Sequence, residues 1–308
     1  MPLNLGTRIL KMQLKLAKPL ARFASIEDAR KAQDQLGRMT AELLKTRVTF
    51  EQVEFESFPA CYVTSNLCVS PCDRVILYLH GGGYTAGGLD YAKGFGAVLA
   101  SQTRLNIFCV AYRLAPEFKF PAAQDDAMEA YQFLLDQGYL PEHIAIVGES
   151  AGGGLALSLT LRIRDEKKPM PACVVAISPW ADLTLSGSSY NNNIRRDPSL
   201  IRESLAYYAI AYAAGHEPEA YVSPAYGDFA GFPPTLLFAG GDEILLSDAR
   251  TVQKKLKLAG ADSTLVIADG MWHVYPLYGT PEGKLAVEEM GLFLRTHLGL
   301  NEEQPTET

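Results

Sequence analysis

The hydrophobic pattern divides the chain into a short helical leader and a long body in which strands and helices take turns. Over residues 4–22, Leu5, Ile9, Met12, Leu16 and Leu20 fall at helical spacing, with Lys11, Lys15, Lys18 and Arg22 on another face, which predicts an amphipathic helix. A second amphipathic helix is predicted over 26–46, opening at Ser25 with Asp28 three residues on, as in a capping box. From Val48 the apolar runs become short and β-branched. They predict strands at 48–55, 60–65, 74–79, 106–112, 144–148, 172–178, 235–239 and 264–268. Helices fit between the later ones, at 91–102, 122–137, 150–164 and 246–259, with a last helix at 282–297. This alternation predicts an α/β fold: a mostly parallel eight-stranded sheet with helices on both faces. The first three strands have no helices between them and are expected to form antiparallel hairpins at one edge. A long interruption from 183 to 232 holds Asn191-Asn192-Asn193, Asp197-Pro198 and a tyrosine-rich helix over 200–214. Insertions of that size commonly form a lid or binding element. The polar, acidic tail 301–308 is expected to be disordered.

Composition narrows the class. A chain of 308 residues, 48% apolar and 20% charged, accommodates one large α/β domain or a domain with a small appendage. No apolar run approaches the ~18 residues needed to span a membrane, and lysines interrupt the leader where a secretory signal would be uninterrupted. A net charge of −7 argues against a nucleic-acid partner. The charge is uneven: residues 1–47 carry ten Lys/Arg against four Asp/Glu, and the remainder 18 against 31. The basic leader is therefore expected to dock onto the acidic body, covering its apolar stripes. Contact with an anionic membrane surface is the less favoured alternative. The five cysteines, 61, 68, 72, 109 and 173, form no disulfide-like framework. Cys68 and Cys72 lack the second ligand pair of a zinc site, so free thiols in a reducing cytosol are expected, with no metal.

Candidate chemistry centres on Gly148-Glu149-Ser150-Ala151-Gly152, between the predicted strand at 144–148 and the helix that follows. Gly-x-Ser-x-Gly in that position is the pattern of a nucleophile elbow, a turn too tight for Cβ atoms at either glycine. Glycine-rich strand-to-helix turns also cradle dinucleotide phosphates, but Ser150 occupies the third position and breaks that fingerprint. Gly153 and Gly154 would let the helix pack close to the sheet.

Earlier in the chain stands His80-Gly81-Gly82-Gly83-Tyr84. With the elbow and with Tyr112-Arg113-Leu114-Ala115-Pro116-Glu117, Phe120-Pro121-Ala122-Ala123-x-Asp125-Asp126 and Ser178-Pro179-Trp180-Ala181-Asp182-Leu183, it resembles the hormone-sensitive-lipase-like bacterial esterases of the α/β-hydrolases. The resemblance covers roughly residues 74–297. It implies a helical cap built from the leader (1–47) and the 183–232 insertion on a catalytic domain spanning 48–300. Acyl transfer needs backbone N–H groups aimed at a developing oxyanion, each typically contributing about 3–4 kcal/mol. The resemblance assigns these donors to Gly82, Gly83 and Ala151. His80 is expected to orient the glycine loop.

Among the five histidines, His273 follows the last strand signal, where the order serine, acid, histidine requires the base. The acid lies in Gly240-Gly241-Asp242-Glu243-Ile244-Leu245. Registering Leu245 and Ala259-Gly260 on the related family motif favours Glu243 over Asp242, with Asp248 and Asp269 behind them. Tyr84, Trp180 and Tyr208 are expected to wall a substrate pocket. These residues together imply a cofactor-free serine carboxylesterase acting on short- to medium-chain acyl esters through an acyl-enzyme. A non-catalytic small-molecule receptor and an amidase or lactonase with the same triad remain alternatives, and the resemblance makes a homodimer plausible.

Overall fold

A computed structural model describes residues 3–21, 25–68 and 73–300; the tail at 301–308 and Cys72 lie outside the described residues. Eight strands, β1 (Val48–Glu54), β2 (Pro59–Ser65), β3 (Val75–Leu79), β4 (Asn106–Val110), β5 (Ile144–Glu149), β6 (Cys173–Ile177), β7 (Thr235–Gly240) and β8 (Ser263–Ala268), form one sheet. Their order is β1-β2-β4-β3-β5-β6-β7-β8. Only β1–β2 and β2–β4 pair antiparallel; the other pairs are parallel.

One expectation is corrected. The third early strand does not join an antiparallel edge but lies inside the sheet, parallel to β4 and β5. Its Val75-Ile-Leu-Tyr-Leu run is buried at every position, as a strand covered on both faces requires. The edge strand β1, by contrast, is largely exposed.

The α-helices among the described residues are α1 (Leu5–Ala21), α2 (Ile26–Leu44), α3 (Leu89–Thr103), α4 (Ala122–Asp136), α5 (Ala151–Asp165), α6 (Ser189–Asn192), α7 (Arg202–Ala213), α8 (Leu246–Leu258) and α9 (Pro281–His297). Strand alternation splits the core in two. Val75, Leu77 and Leu79 pack with α4, α5 and α8, while Ile76 and Tyr78 pack with α3 and α9. Both layers hold the C-terminal strand ends, where the candidate residues emerge.

The leader helices sit on the body in different ways. At α2, the Ser25 hydroxyl accepts from Asp28 N at 3.1 Å and the Asp28 carboxylate accepts from Ser25 N at 3.2 Å. Gly37 of α2 crosses α3 so closely that a Cβ there would lie 2.2 Å from the Asp90 carbonyl oxygen. The seating of α1 departs from expectation. Leu10 and Leu14 pack against the body, but Leu5, Ile9, Met12 and Leu16, the stripe expected to be covered, face outward. Lys11 and Lys18 turn inward instead. Lys11 donates to the Asp242 carboxylate and to the Gly270 carbonyl, and Lys18 to the Asp197 carbonyl. The strand-end loops and the insertion present a carboxylate and carbonyls that a lysine satisfies and a leucine would leave bare. Among the described residues, no helix is long and apolar enough to cross a membrane.

Candidate active site

The elbow is shaped by steric exclusion. A Cβ on Gly148 would sit 2.1 Å from the Gly152 carbonyl oxygen, and one on Gly152 would sit 2.0 Å from that of Leu79. Ser150, between them, is held at φ 57°, ψ −122°. That backbone costs a non-glycine residue on the order of 1–3 kcal/mol and persists only where surroundings enforce it. Here Ser150 N donates to Ile177 O at 2.9 Å, and the Ser150 carbonyl accepts from Gly154 N at 3.0 Å and Trp180 N at 2.9 Å. Gly154 abuts the Trp180 carbonyl, where a Cβ would lie 2.2 Å away. Gly153 and Gly154 thus bring α5 against the loop that follows β6 and not, as the sequence reading expects, against the sheet itself.

His273 reaches the elbow from the loop after β8. Its Nε2 lies 2.9 Å from Ser150 Oγ, and its Nδ1 lies 2.8 Å from Glu243 Oε2. With Nδ1–H donating to the carboxylate, Nε2 remains an acceptor for the serine hydroxyl. Burial of Glu243 raises its pKa, and the adjacent His273 opposes that rise. Its other oxygen, Oε1, accepts from Gly240 N at 2.9 Å. Of the two adjacent carboxylates, Glu243 meets the imidazole. Asp242 points the other way, paired with Lys11 and Arg196.

Several supporting residues carry no site signal in the sequence reading. The Ser178 hydroxyl accepts from Val274 N at 2.9 Å, fixing the His loop. Asp197, in the insertion, accepts from Ile244 N at 2.9 Å, and Asn193 Nδ2 donates to the Glu243 carbonyl at 2.9 Å. Ser178 stands in the quoted Ser-Pro-Trp motif and could have been singled out there. Asp197 and Asn193 sit in a loop whose partner only the fold identifies. Asp126, from another quoted motif, is fully buried and binds Arg113 at 2.6 Å, so that motif braces the scaffold.

The glycine loop lies against the elbow: a Cβ on Gly81 would be 3.1 Å from Ser150 Cβ. Gly82 and Gly83 have φ of 121° and 65°, which glycine adopts freely. His80 Nδ1 lies 2.7 Å from the Gly81 carbonyl, and its ring stacks on Tyr112 at 4.3 Å. Burial lowers the His80 pKa to about 4, leaving the ring neutral and suited to orienting the loop.

Glu149, the variable position of the elbow motif, is fully buried behind this loop. It accepts from Gly81 N at 2.5 Å, Tyr78 O–H at 2.8 Å and Tyr91 O–H at 3.2 Å. Burial nevertheless lifts its pKa from 4.5 to about 7. A carboxyl raised on folding stabilises the native state below its unfolded pKa, and that contribution is lost as pH climbs through the folded value. Glu149→Gln is therefore expected to gain stability relative to the parent between about pH 4.5 and 7, on the order of 3 kcal/mol in all. Urea midpoints of both proteins across that range provide the check, and parallel curves would refute the expectation.

The pocket expectations divide. Tyr84 and Trp180 are buried in the core, Tyr84 stacked on Tyr212 at 3.8 Å, and neither lines the open cleft beside α2 and α7. Tyr208 does. It lines an open cleft of about 830 Å³ with Ile26, Arg30, Glu117, Glu203 and Tyr207, and its ring lies 2.7 Å from where a Gly83 Cβ would stand. The cleft is bounded by α2, α7 and the Pro116-Glu117 turn, and its lining includes neither the glycine loop nor Ser150 nor His273.

Comparison with known proteins places the fold and the family. Residues 76–277 match a family model described as the alpha/beta hydrolase fold. The chain is 39% identical to an acetyl-hydrolase of Streptomyces hygroscopicus over 73% of its own length and 77% of that protein's. It is 34% identical to an esterase of Acinetobacter venetianus over 71% and 74%. A crystal structure of EstE5 soaked with p-nitrophenyl butyrate superposes with a TM-score of 0.90 at 35% identity, covering 96% of this chain and 99% of that one. An esterase from the bacterial hormone-sensitive lipase family superposes with a TM-score of 0.88 at 32% identity, covering 97% and 100%. The eight-stranded sheet, the elbow and these likenesses over nearly the whole chain lead to one assignment: the chain belongs to the α/β-hydrolases, in the branch of the bacterial hormone-sensitive-lipase esterases.

Proposed function

We propose that this carboxylic ester hydrolase works through an acyl-enzyme on Ser150. The observation that carries the reading is the 2.9 Å approach of His273 Nε2 to Ser150 Oγ, with Glu243 at 2.8 Å from the other ring nitrogen. Ser150 Oγ attacks the ester carbonyl while Nε2 takes its proton. The carbonyl oxygen, now negative, lies among the N–H groups of Gly82, Gly83 and Ala151. His273 then passes the proton to the leaving alcohol, and a water molecule repeats the sequence on the acyl-serine. Glu243 holds the imidazole with its proton on Nδ1 and stabilises the imidazolium as it forms.

The substrates are short- to medium-chain acyl esters. Support comes from Tyr208, whose ring packs over Gly83 beside the nucleophile and would shorten an acyl site there. The p-nitrophenyl butyrate soaked into EstE5 is an ester of that size. The leader and the 183–232 insertion act as the cap, bounding the cleft through α2 and α7. Cys61, Cys109 and Cys173 are buried and unpaired in disulfides, which suits a reducing, cytoplasmic setting.

A fluorophosphonate probe is expected to label the protein once, on Ser150, and a p-nitrophenyl ester series is expected to peak between acetyl and octanoyl. Absence of labelling would favour the receptor alternative. A maximum at palmitoyl would overturn the chain-length assignment alone.

A further inference from the structure

Helix α1 is seated with its apolar stripe outward, and nothing among the described residues covers that stripe. Leu5, Ile9, Met12 and Leu16 are 69%, 45%, 57% and 73% exposed. Helical spacing gathers them into an arc of about 60°. Arg8 and Lys15, both exposed, run along one flank of the arc, and the helix contains no acidic residue. The opposite side is already engaged: Leu10 and Leu14 pack against the core, Lys11 reaches the strand-end loops and Lys18 the insertion. The Thr7 hydroxyl donates to Glu282 at 2.5 Å. The helix is thus anchored by one face and presents a cation-flanked apolar ridge with the other.

We propose that α1 docks this protein on an anionic lipid surface. The four apolar side chains would enter the boundary between headgroups and acyl chains, while Arg8 and Lys15 meet lipid phosphates. Charge decides between this partner and a second copy of the chain. An antiparallel two-fold pairing of two α1 helices would set each cationic flank against its own counterpart, lining the seam with like charges. The exposed apolar residues of α2, Leu36, Met39 and Leu43, lie on a helix that also carries Glu27, Asp28, Asp34 and Glu42, so α2 lacks the charge character that selects an anionic surface.

The test is co-sedimentation of the full chain with vesicles of phosphatidylglycerol and phosphatidylcholine, against vesicles of phosphatidylcholine alone. The protein is expected to pellet with the anionic vesicles at low salt, and less as salt is raised. The double variant Leu5→Gln/Leu16→Gln is expected to lose about ten-fold or more in partitioning, and Arg8→Glu/Lys15→Glu to lose a similar factor. Wild-type rates of p-nitrophenyl acetate hydrolysis in both variants would show the fold intact. Vesicle binding needs no turnover, so its outcome is independent of the catalytic reading. Failure to pellet with either vesicle, or undiminished binding by Leu5→Gln/Leu16→Gln, would overturn the proposal. So would a dimer in sedimentation velocity that this variant dissolves without any vesicle binding, which would assign the ridge to a second copy.

Discussion

Ser150→Ala is expected to lower kcat for ester hydrolysis on the order of 10⁶-fold, the scale seen when a serine hydrolase loses its nucleophile. Some catalysis over water should survive, because the glycine loop and the His273 position do not depend on the hydroxyl. The backbone at 150 is held by hydrogen bonds from Gly154 and Trp180 and to Ile177, none of which involves the side chain. Alanine at φ 57° carries the same backbone strain as serine, so the thermal midpoint should move little while turnover collapses. Steady-state kinetics with p-nitrophenyl acetate, alongside fluorophosphonate labelling, measure both. Activity within ten-fold of the parent would remove Ser150 from the reaction.

The second large effect separates two neighbouring carboxylates. Glu243→Gln should reduce kcat by about 10⁴-fold, because an amide N–H facing Nδ1 favours the tautomer that cannot accept the serine proton. Asp242→Asn should stay within about ten-fold, since that side chain faces Lys11 and Arg196 and not the imidazole. Its effect belongs to stability, and because Asp242 is buried between Lys11 and Arg196 the loss should exceed the roughly 1 kcal/mol of an exposed pair. Equal losses of turnover in the two variants would contradict the geometry at His273.

How far the sequence reaches depends on the range of the interaction involved. The elbow is legible because its cause is local: backbone atoms of residues 148 and 152 exclude each other's Cβ, so glycine spacing alone reports the turn. The capping box at Ser25 and Asp28 is legible for the same reason. Strand periodicity located all eight strands, yet it placed β3 at an edge. Which strand fills the slot between β4 and β5 is settled by pairing across the sheet, where β2 pairs directly with β4 and β3 lies beyond it.

Amphipathicity found α1 but not its orientation. A helical wheel separates leucines from lysines without saying which side is turned to the protein, and that choice rests on acceptors at Asp197, Asp242 and Gly270. Tyr84 and Trp180 were expected on a pocket wall because aromatic side chains near a nucleophile suit one. Close packing around the elbow places them in the core instead.

By itself, then, the amino-acid order determined the α/β class and the strained serine turn, since each follows from steric or periodic constraints a few residues long, while the choice of His273 rested on chain order and on the family resemblance. Only the tertiary structure decided which of two adjacent carboxylates meets the imidazole, which face of α1 is left to solvent and where the central strand sits. Those outcomes depend on partners tens to hundreds of residues away, and the energies of such contacts exist only once the chain has folded.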